Sequence, residues 1–296
     1  MSLDGSIIKP QTLMDFMATT CVPISRTRIA DIGANPLTPP PYEGMRQADM
    51  CNLFGFEPQK EAFDALQTNA RVGDRYFNVA IGTKGPATFH IYPHSGFSSL
   101  YKLCSKSLSG LTRFQRLPRR GRIVPVDLIP MDDVQGLPHV DMLKIDVQGA
   151  EFDIISGGRQ RLSQAVCVIP ELRYNRLYEG EPMMGDVDLE LRSHGFTLHK
   201  FMGFSSTHLA SSQSSRLKSR RIRSQLIDGD AVYIRALETM PEWTDRQLAS
   251  LAQFAALVFG SHDLALQCLD QLVARGVLSS HVPERYVDLL PDNLRA

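Results

Sequence analysis

Long apolar runs are missing from this chain, and no stretch approaches the roughly 18 residues that a membrane-crossing helix needs. The opening residues Met1-Ser2-Leu3-Asp4-Gly5 carry neither a basic region nor an apolar core, so no signal peptide is expected. A surplus of either charge is missing too. The 32 Lys and Arg residues balance 32 Asp and Glu, which argues against a whole-surface attraction to nucleic acid. Cysteine is sparse: Cys21, Cys51, Cys104, Cys167 and Cys268 are scattered, odd in number and free of C-x-x-C spacing. That excludes a disulfide frame or a zinc site as the organising device and points to a reducing, cytoplasmic setting. Histidine gives no metal signature either. Pro93 interrupts His90 and His94, and Gly195 separates His194 from His199, so no metal is expected.

What is present is a pattern of apolar strands ending in glycine or acid. Leu143-Lys144-Ile145-Asp146-Val147-Gln148-Gly149-Ala150-Glu151 begins as a buried strand, turns at Gly149 and enters a helix. A central parallel strand should be nearly continuous Val, Ile and Leu, so charges within it need a reason. Alternation puts Lys144 and Asp146 on one face, with Asp146 near the carboxyl end, where open α/β sheets bind ligands. A purely structural ion pair is the competing reading. Upstream, Arg28 to Asn35 reads as a strand closed by a glycine turn at Gly33, and Leu53 to Pro58 as a second strand ending in Glu57. A glycine turn followed roughly 20 residues later by an acid is the nucleotide-cofactor arrangement of doubly wound sheets. Of the three glycines of a dinucleotide loop only Gly33 is present, and Pro36 has no N–H to offer a phosphate. A loop short of donors suits a cofactor without pyrophosphate, such as S-adenosylmethionine.

Together these segments resemble the FkbM family of S-adenosylmethionine-dependent methyltransferases, over residues 25 to 237. Asp31-Ile32-Gly33-Ala34-Asn35 is similar to the family's first cofactor motif, Phe56-Glu57-Pro58 to its ribose-binding strand end and Ser98-Ser99-Leu100-Tyr101 to its serine-rich middle segment. Lys144 to Glu151 is similar to its most specific string. The chain departs from the family at Leu37, where a glycine is usual, and in the prolines Pro36, Pro39, Pro40 and Pro41. The resemblance implies a Rossmann-like class I methyltransferase sheet, mostly parallel with an antiparallel terminal strand, and methyl transfer to a hydroxyl of a small molecule, sugar or glycan. Asp31, Gly33, Asn35, Glu57, Asn78 and Asp146 are the expected cofactor residues, and Asp146, Glu171 and Lys144 the expected catalytic set. Two other functions stay open at this point: a nicotinamide-dependent oxidoreductase and a non-catalytic module that keeps the fold.

The chain divides into an N-terminal helical segment (1–24), a methyltransferase domain (25–237) and a C-terminal helical appendage (241–296). The first is expected against the sheet edge. Strands are expected at 28–33, 52–57, 75–81, 140–146 and 165–172, with two inserted strands at 87–92 and 122–128. An antiparallel pair, 196–204 with 230–236, closes the sheet. The appendage carries Leu248, Leu251, Ala252, Ala255, Leu264, Cys268 and Leu272 at helical spacing, a stripe suited to capping or to a homodimer. Between Ser211 and Ser224 lie Arg216, Lys218, Arg220, Arg221 and Arg223 with no acid. Two readings of that loop stay open: a solvated surface feature, or a clamp that overhangs the acceptor pocket and favours an anionic acceptor.

Overall fold

The computed structural model describes residues 12–33, 39–115, 117, 121–218 and 221–296. The elements run α1 (Leu13–Cys21), β1 (Thr27–Ile32), α2 (Glu43–Gln47), β2 (Cys51–Phe56), α3 (Lys60–Thr68), β3 (Arg75–Phe77), β4 (Ala80–Ile81) and β5 (Gly85–Ile91). They continue with α4 (Ser105–Ser109), β6 (Arg122–Ile129), β7 (Met142–Ile145), α5 (Glu151–Ser156), β8 (Cys167–Arg173), α6 (Met184–Ser193), β9 (Phe196–Phe201) and β10 (Ser205–Thr207). β11 (Gln225–Arg235), α7 (Asp245–Leu257), α8 (His262–Ala274) and α9 (Val282–Asp288) complete the chain. Two compact units result: 28–39 with 52–242, and 1–27 with 40–51 and 243–296.

The larger unit is built on a sheet of order β10-β11-β8-β7-β1-β2-β3, with β9 also paired to β11. β7 is parallel to both β1 and β8, and β2 to β3. β11 runs antiparallel to β8 and β9. The connections reverse direction between β1 and β7, the switch point where a doubly wound sheet opens a crevice. This is the mostly parallel, Rossmann-like sheet with an antiparallel terminal strand that the sequence led us to expect. Its core is formed by Ala30, Ile32, Leu143, Ile145, Val168, Leu172, Ala231 and Tyr233, each alternating along its strand with a residue of the opposite face.

The expected strand over 75–81 breaks in two. Arg75–Phe77 pairs with β2, whereas Ala80–Ile81 joins β6 and β5 in a separate three-stranded sheet. Asn78 explains the break, because its Nδ2 donates to the carbonyls of Glu57 (2.9 Å) and Pro58 (3.1 Å) and folds the chain over the end of β2. The expected inserted strands are β5 and β6, paired antiparallel from Gly85↔Leu128 to Ile91↔Arg122.

In the smaller unit, α1 is started by a capping box in which Asp15 N–H donates to Thr12 Oγ1 and Thr12 N–H donates to Asp15 Oδ2. Of the expected segment 1–24, residues 1–11 lie outside the described residues. α1, expected against a sheet edge, packs on α7 and sets Phe16 against Tyr286. α7 is buried from Gln247 to Ala256. Its polar residues are satisfied locally: Ser250 Oγ lies 2.8 Å from Ser25 Oγ, and Gln253 Nε2 donates to Ser25 O. The apolar stripe read from the sequence is covered within the chain, with Leu248, Leu251, Cys268, Leu269 and Leu272 all fully buried.

Candidate active site

The site begins where β1 meets β7. Ile32 O accepts from Asp146 N–H (3.0 Å), and Gly33 N–H donates to Phe56 O (3.3 Å), so the end of β1 is tied to both neighbouring strands, through Ile32 on one side and Gly33 on the other. Gly33 has φ +89°, and a Cβ added there would lie 2.0 Å from the carbonyl oxygen of Asp146. Both facts require glycine. The sequence motif is therefore a packing requirement of the crevice as well as an approach for a ligand.

Beside this turn lies a cavity of about 330 Å³ whose lining includes Gly33, Phe56, Glu57, Ile81, Asp146 and Gln148, within the size range of small-ligand sites. Glu57, at the end of β2, is almost fully buried, and its Oε1 accepts from Gln59 N–H at 2.8 Å. Burial raises its pKa above the ordinary range, and the hydrogen bond from Gln59 offsets part of that shift. Among the described residues that line the cavity there are two acids but no Lys, Arg or His. A cavity so lined suits a cationic ligand and offers no side-chain cation to a pyrophosphate.

On the side of β8, carboxylates crowd around one lysine. Register pairs Asp31 with Lys144, and Glu171 with Asp230, and alternation puts these residues on the same face of the sheet. Lys144 Nζ lies 3.8 Å from Asp146 Oδ2. Burial opposes the lysine's charge, but Asp31, Asp146, Asp230 and Glu171 together outweigh it and raise its pKa. The side chain of Asp146 is 40% exposed, against 15% for Lys144 and 16% for Glu171. Of these three, Asp146 is the one open to the cavity.

Gln148 joins the two candidate carboxylates. Its Nε2 donates to Asp146 Oδ1 and to Glu171 Oε2, both at 2.9 Å. Its Oε1 accepts from Arg173 Nη2 and Tyr178 Oη, each at 3.3 Å, which fixes the amide's orientation. The residue sits at φ +61°, uncommon for a non-glycine. Ser99 Oγ donates to its carbonyl at 2.6 Å. Glu151, the last acid of the string, serves the turn itself: its carboxylate accepts from the N–H groups of Val147 and Gly149. Arg173 anchors the far side through Glu171 Oε2 (2.8 Å), Asp228 Oδ2 (2.8 Å) and Glu181 (3.4 Å). Burial, with Asp146 and Asp228 adding to it, lifts Glu171 well above the usual carboxylate range in spite of Arg173.

Placed against the sequence expectations, Gly33, Glu57 and Asp146 line the cavity, while Asp31, Lys144 and Glu171 form the charged row next to it. Asn78 is outside the lining, because both of its recorded bonds hold the Glu57 turn. Asn35, with Pro36 and Leu37, lies outside the described residues. Sequence reading passed over Gln148, Arg173, Asp228 and Asp230. A buried arginine closing an apolar strand and two acids alternating in β11 were the available signals.

The sheet is thus doubly wound, with acids at the ends of β2 and β7 and no Lys, Arg or His among the described residues that line the cavity at its switch point. Residues 31–198 match the methyltransferase FkbM domain, and the chain belongs to that family. The matched family is one of methyltransferases. Membership displaces the nicotinamide oxidoreductase reading. The 2-O-methyltransferase NoeI of Sinorhizobium fredii (strain NBRC 101917 / NGR234) is 32% identical over 149 residues, covering 47% of this chain and 61% of that protein. The chain thus spans about three fifths of that relative's length. Among solved structures it is similar to magnesium protoporphyrin IX methyltransferase of Synechocystis PCC 6803, at 11% identity over 76% of both chains with a TM-score of 0.37. A TehB-like methyltransferase of Corynebacterium glutamicum is similar at 10% identity, covering 75% of this chain and 88% of that one, with a TM-score of 0.35. No helix among the described residues is long and apolar enough to cross a membrane.

Proposed function

We propose that this chain methylates a hydroxyl oxygen of a sugar, glycan or other small molecule, with the cofactor in the cavity beside Gly33 and the acceptor toward Asp146 and Glu171. The observation that carries this reading is the pair of carboxylates from adjacent strands held on one amide, Gln148, at the edge of a cavity with no Lys, Arg or His among its described lining residues. The relative NoeI is a 2-O-methyltransferase, which agrees with an oxygen acceptor.

The residues present fit S-adenosylmethionine. Glu57 offers a buried carboxylate to the two ribose hydroxyls, Gly33 gives bare backbone, and Asp31 and Asp146 supply negative charge near a sulfonium and an amino group. When bound, the cofactor supplies a methyl group already activated by positive charge. The protein's task is then to align an acceptor oxygen, exclude water and accept a proton. Asp146, the more exposed acid, is placed to take the hydroxyl proton, and Gln148 and Lys144 hold it in orientation. Glu171, with its raised pKa, is the alternative base or proton store. Incubating the protein with methyl-labelled cofactor and fractionated cell extract tests the proposal. Label in an alkali-stable ether on a hydroxyl compound is expected; label on nitrogen, on carbon or on a carboxyl ester would overturn it.

A further inference from the structure

Two segments of this neutral chain contain no acid. Residues 104–126 and 202–227 together hold eleven of its 32 Lys and Arg residues. The fold brings them together. Thr112 N–H donates to His208 O (3.2 Å), Ala210 N–H to Gly110 O (2.8 Å), and Leu111 bridges to Leu209. Arg113 Nη1 reaches Ser205 Oγ at 3.2 Å. Arg216, Lys218, Arg221 and Arg223 are exposed and enter no ion pair among the described residues. Large aliphatic side chains are interleaved with them: Leu209 is 55% exposed, Leu217 47% and Ile222 40%.

Exposed leucine and isoleucine inside a cationic loop decide what the surface fits. Single-stranded nucleic acid is held by aromatic stacking along a basic groove, whereas residues 209–227, which carry the exposed cations, contain no aromatic ring, and Phe204, 56% exposed, packs against Tyr174 and Phe201. A soluble anionic glycan would leave Leu217 and Ile222 in water. Basic residues alternating with aliphatic ones are what an interfacial segment presents to anionic headgroups and the acyl boundary beneath them. We propose that this surface docks the chain on an anionic lipid bilayer, with Arg216, Lys218, Arg221 and Arg223 at the headgroups and Leu217 and Ile222 at the acyl boundary. β11 begins directly after the loop and carries Asp228 and Asp230 beside Arg173 and Glu171, so docking here would present the proposed acceptor side to the bilayer surface. The inference does not depend on which acceptor is methylated.

Vesicle flotation of the full chain tests it. Binding is expected to phosphatidylcholine vesicles containing phosphatidylglycerol, not to pure phosphatidylcholine, and should weaken steeply with salt. At about fivefold per headgroup-facing cation, Arg221→Glu/Arg223→Glu should lower partitioning well over tenfold. Leu217→Ser/Ile222→Ser leaves every charge in place and should still lower it about tenfold. The same serine pair should leave heparin and single-stranded RNA binding unchanged. S-adenosylmethionine affinity, measured by calorimetry, should stay at the parental value in both variants, which separates this proposal from the fate of the methyltransfer reading. Indifference to anionic vesicles, or parental vesicle binding by the serine pair, would overturn the proposal in favour of a soluble polyanion or a merely solvated face.

Discussion

Gly33→Ala should damage the site out of proportion to its single methyl group. A Cβ at this position would stand 2.0 Å from Asp146 O and 2.9 Å from Asp146 C. Reaching an ordinary contact of about 3.4 Å means opening the β1–β7 crevice by roughly 1.4 Å, since 3.4 less 2.0 is 1.4. Neither side can yield freely, because Asp146 N–H is bonded to Ile32 O and Gly33 N–H to Phe56 O. Holding alanine at φ +89° adds about 1–2 kcal/mol of backbone strain. Since a displacement of about 1 Å can cost on the order of 100-fold in rate, turnover should fall by that factor or more. Cofactor affinity should fall at least tenfold, with a lower melting temperature. Gly185→Ala is the control: it lies in α6 with nothing within 4 Å of the added Cβ, and should stabilise slightly. Paired calorimetry, steady-state kinetics and thermal melts decide the matter. Parental turnover and affinity in Gly33→Ala would refute the packing argument.

Asp146→Asn should abolish turnover while S-adenosylmethionine affinity stays within a few-fold, read by single-turnover kinetics beside calorimetry; surviving turnover would move the base to Glu171. Gln148→Met, which keeps length but offers no amide, should lower kcat at least tenfold with little change in cofactor affinity; equal losses in both would mean that the amide only supports the fold. Glu171 has its folded pKa raised by burial, so its contribution to stability is fully present below the unfolded pKa of about 4.5 and is lost as pH rises through the folded value. Glu171→Gln should therefore flatten the decline in urea stability from about pH 4.5 upward relative to the parent; parallel curves would show that Glu171 is not perturbed.

The sheet was legible because its signals are local and repeated. Apolar runs ending at Gly33, Glu57 and Asp146 marked three strand ends, and each is a strand end in the fold. The break at Asn78 was not legible, since it depends on a side chain bonding to carbonyls some 20 residues upstream. Lys144, Asp146 and Glu171 could be named from polarity within apolar strands, but the amide that joins the two acids could not. Gln148 in sequence is one polar residue in a turn, and its role exists only once β7 and β8 lie side by side. The stripe on α7 and α8 was read correctly as apolar, but its partners, α1 among them, are distant in sequence.

The central claim is that the cavity beside Gly33 holds S-adenosylmethionine through Glu57. Losing two charge-assisted hydrogen bonds to a ribose costs about 1.5–3 kcal/mol apiece, so the effect of removing the carboxylate should be large. Isothermal titration of S-adenosylmethionine into the parent chain and into Glu57→Ala tests this most directly. One saturable site in the parent and affinity weakened at least tenfold in the variant are predicted. Equal affinity in both proteins, or no binding to the parent, would contradict the account.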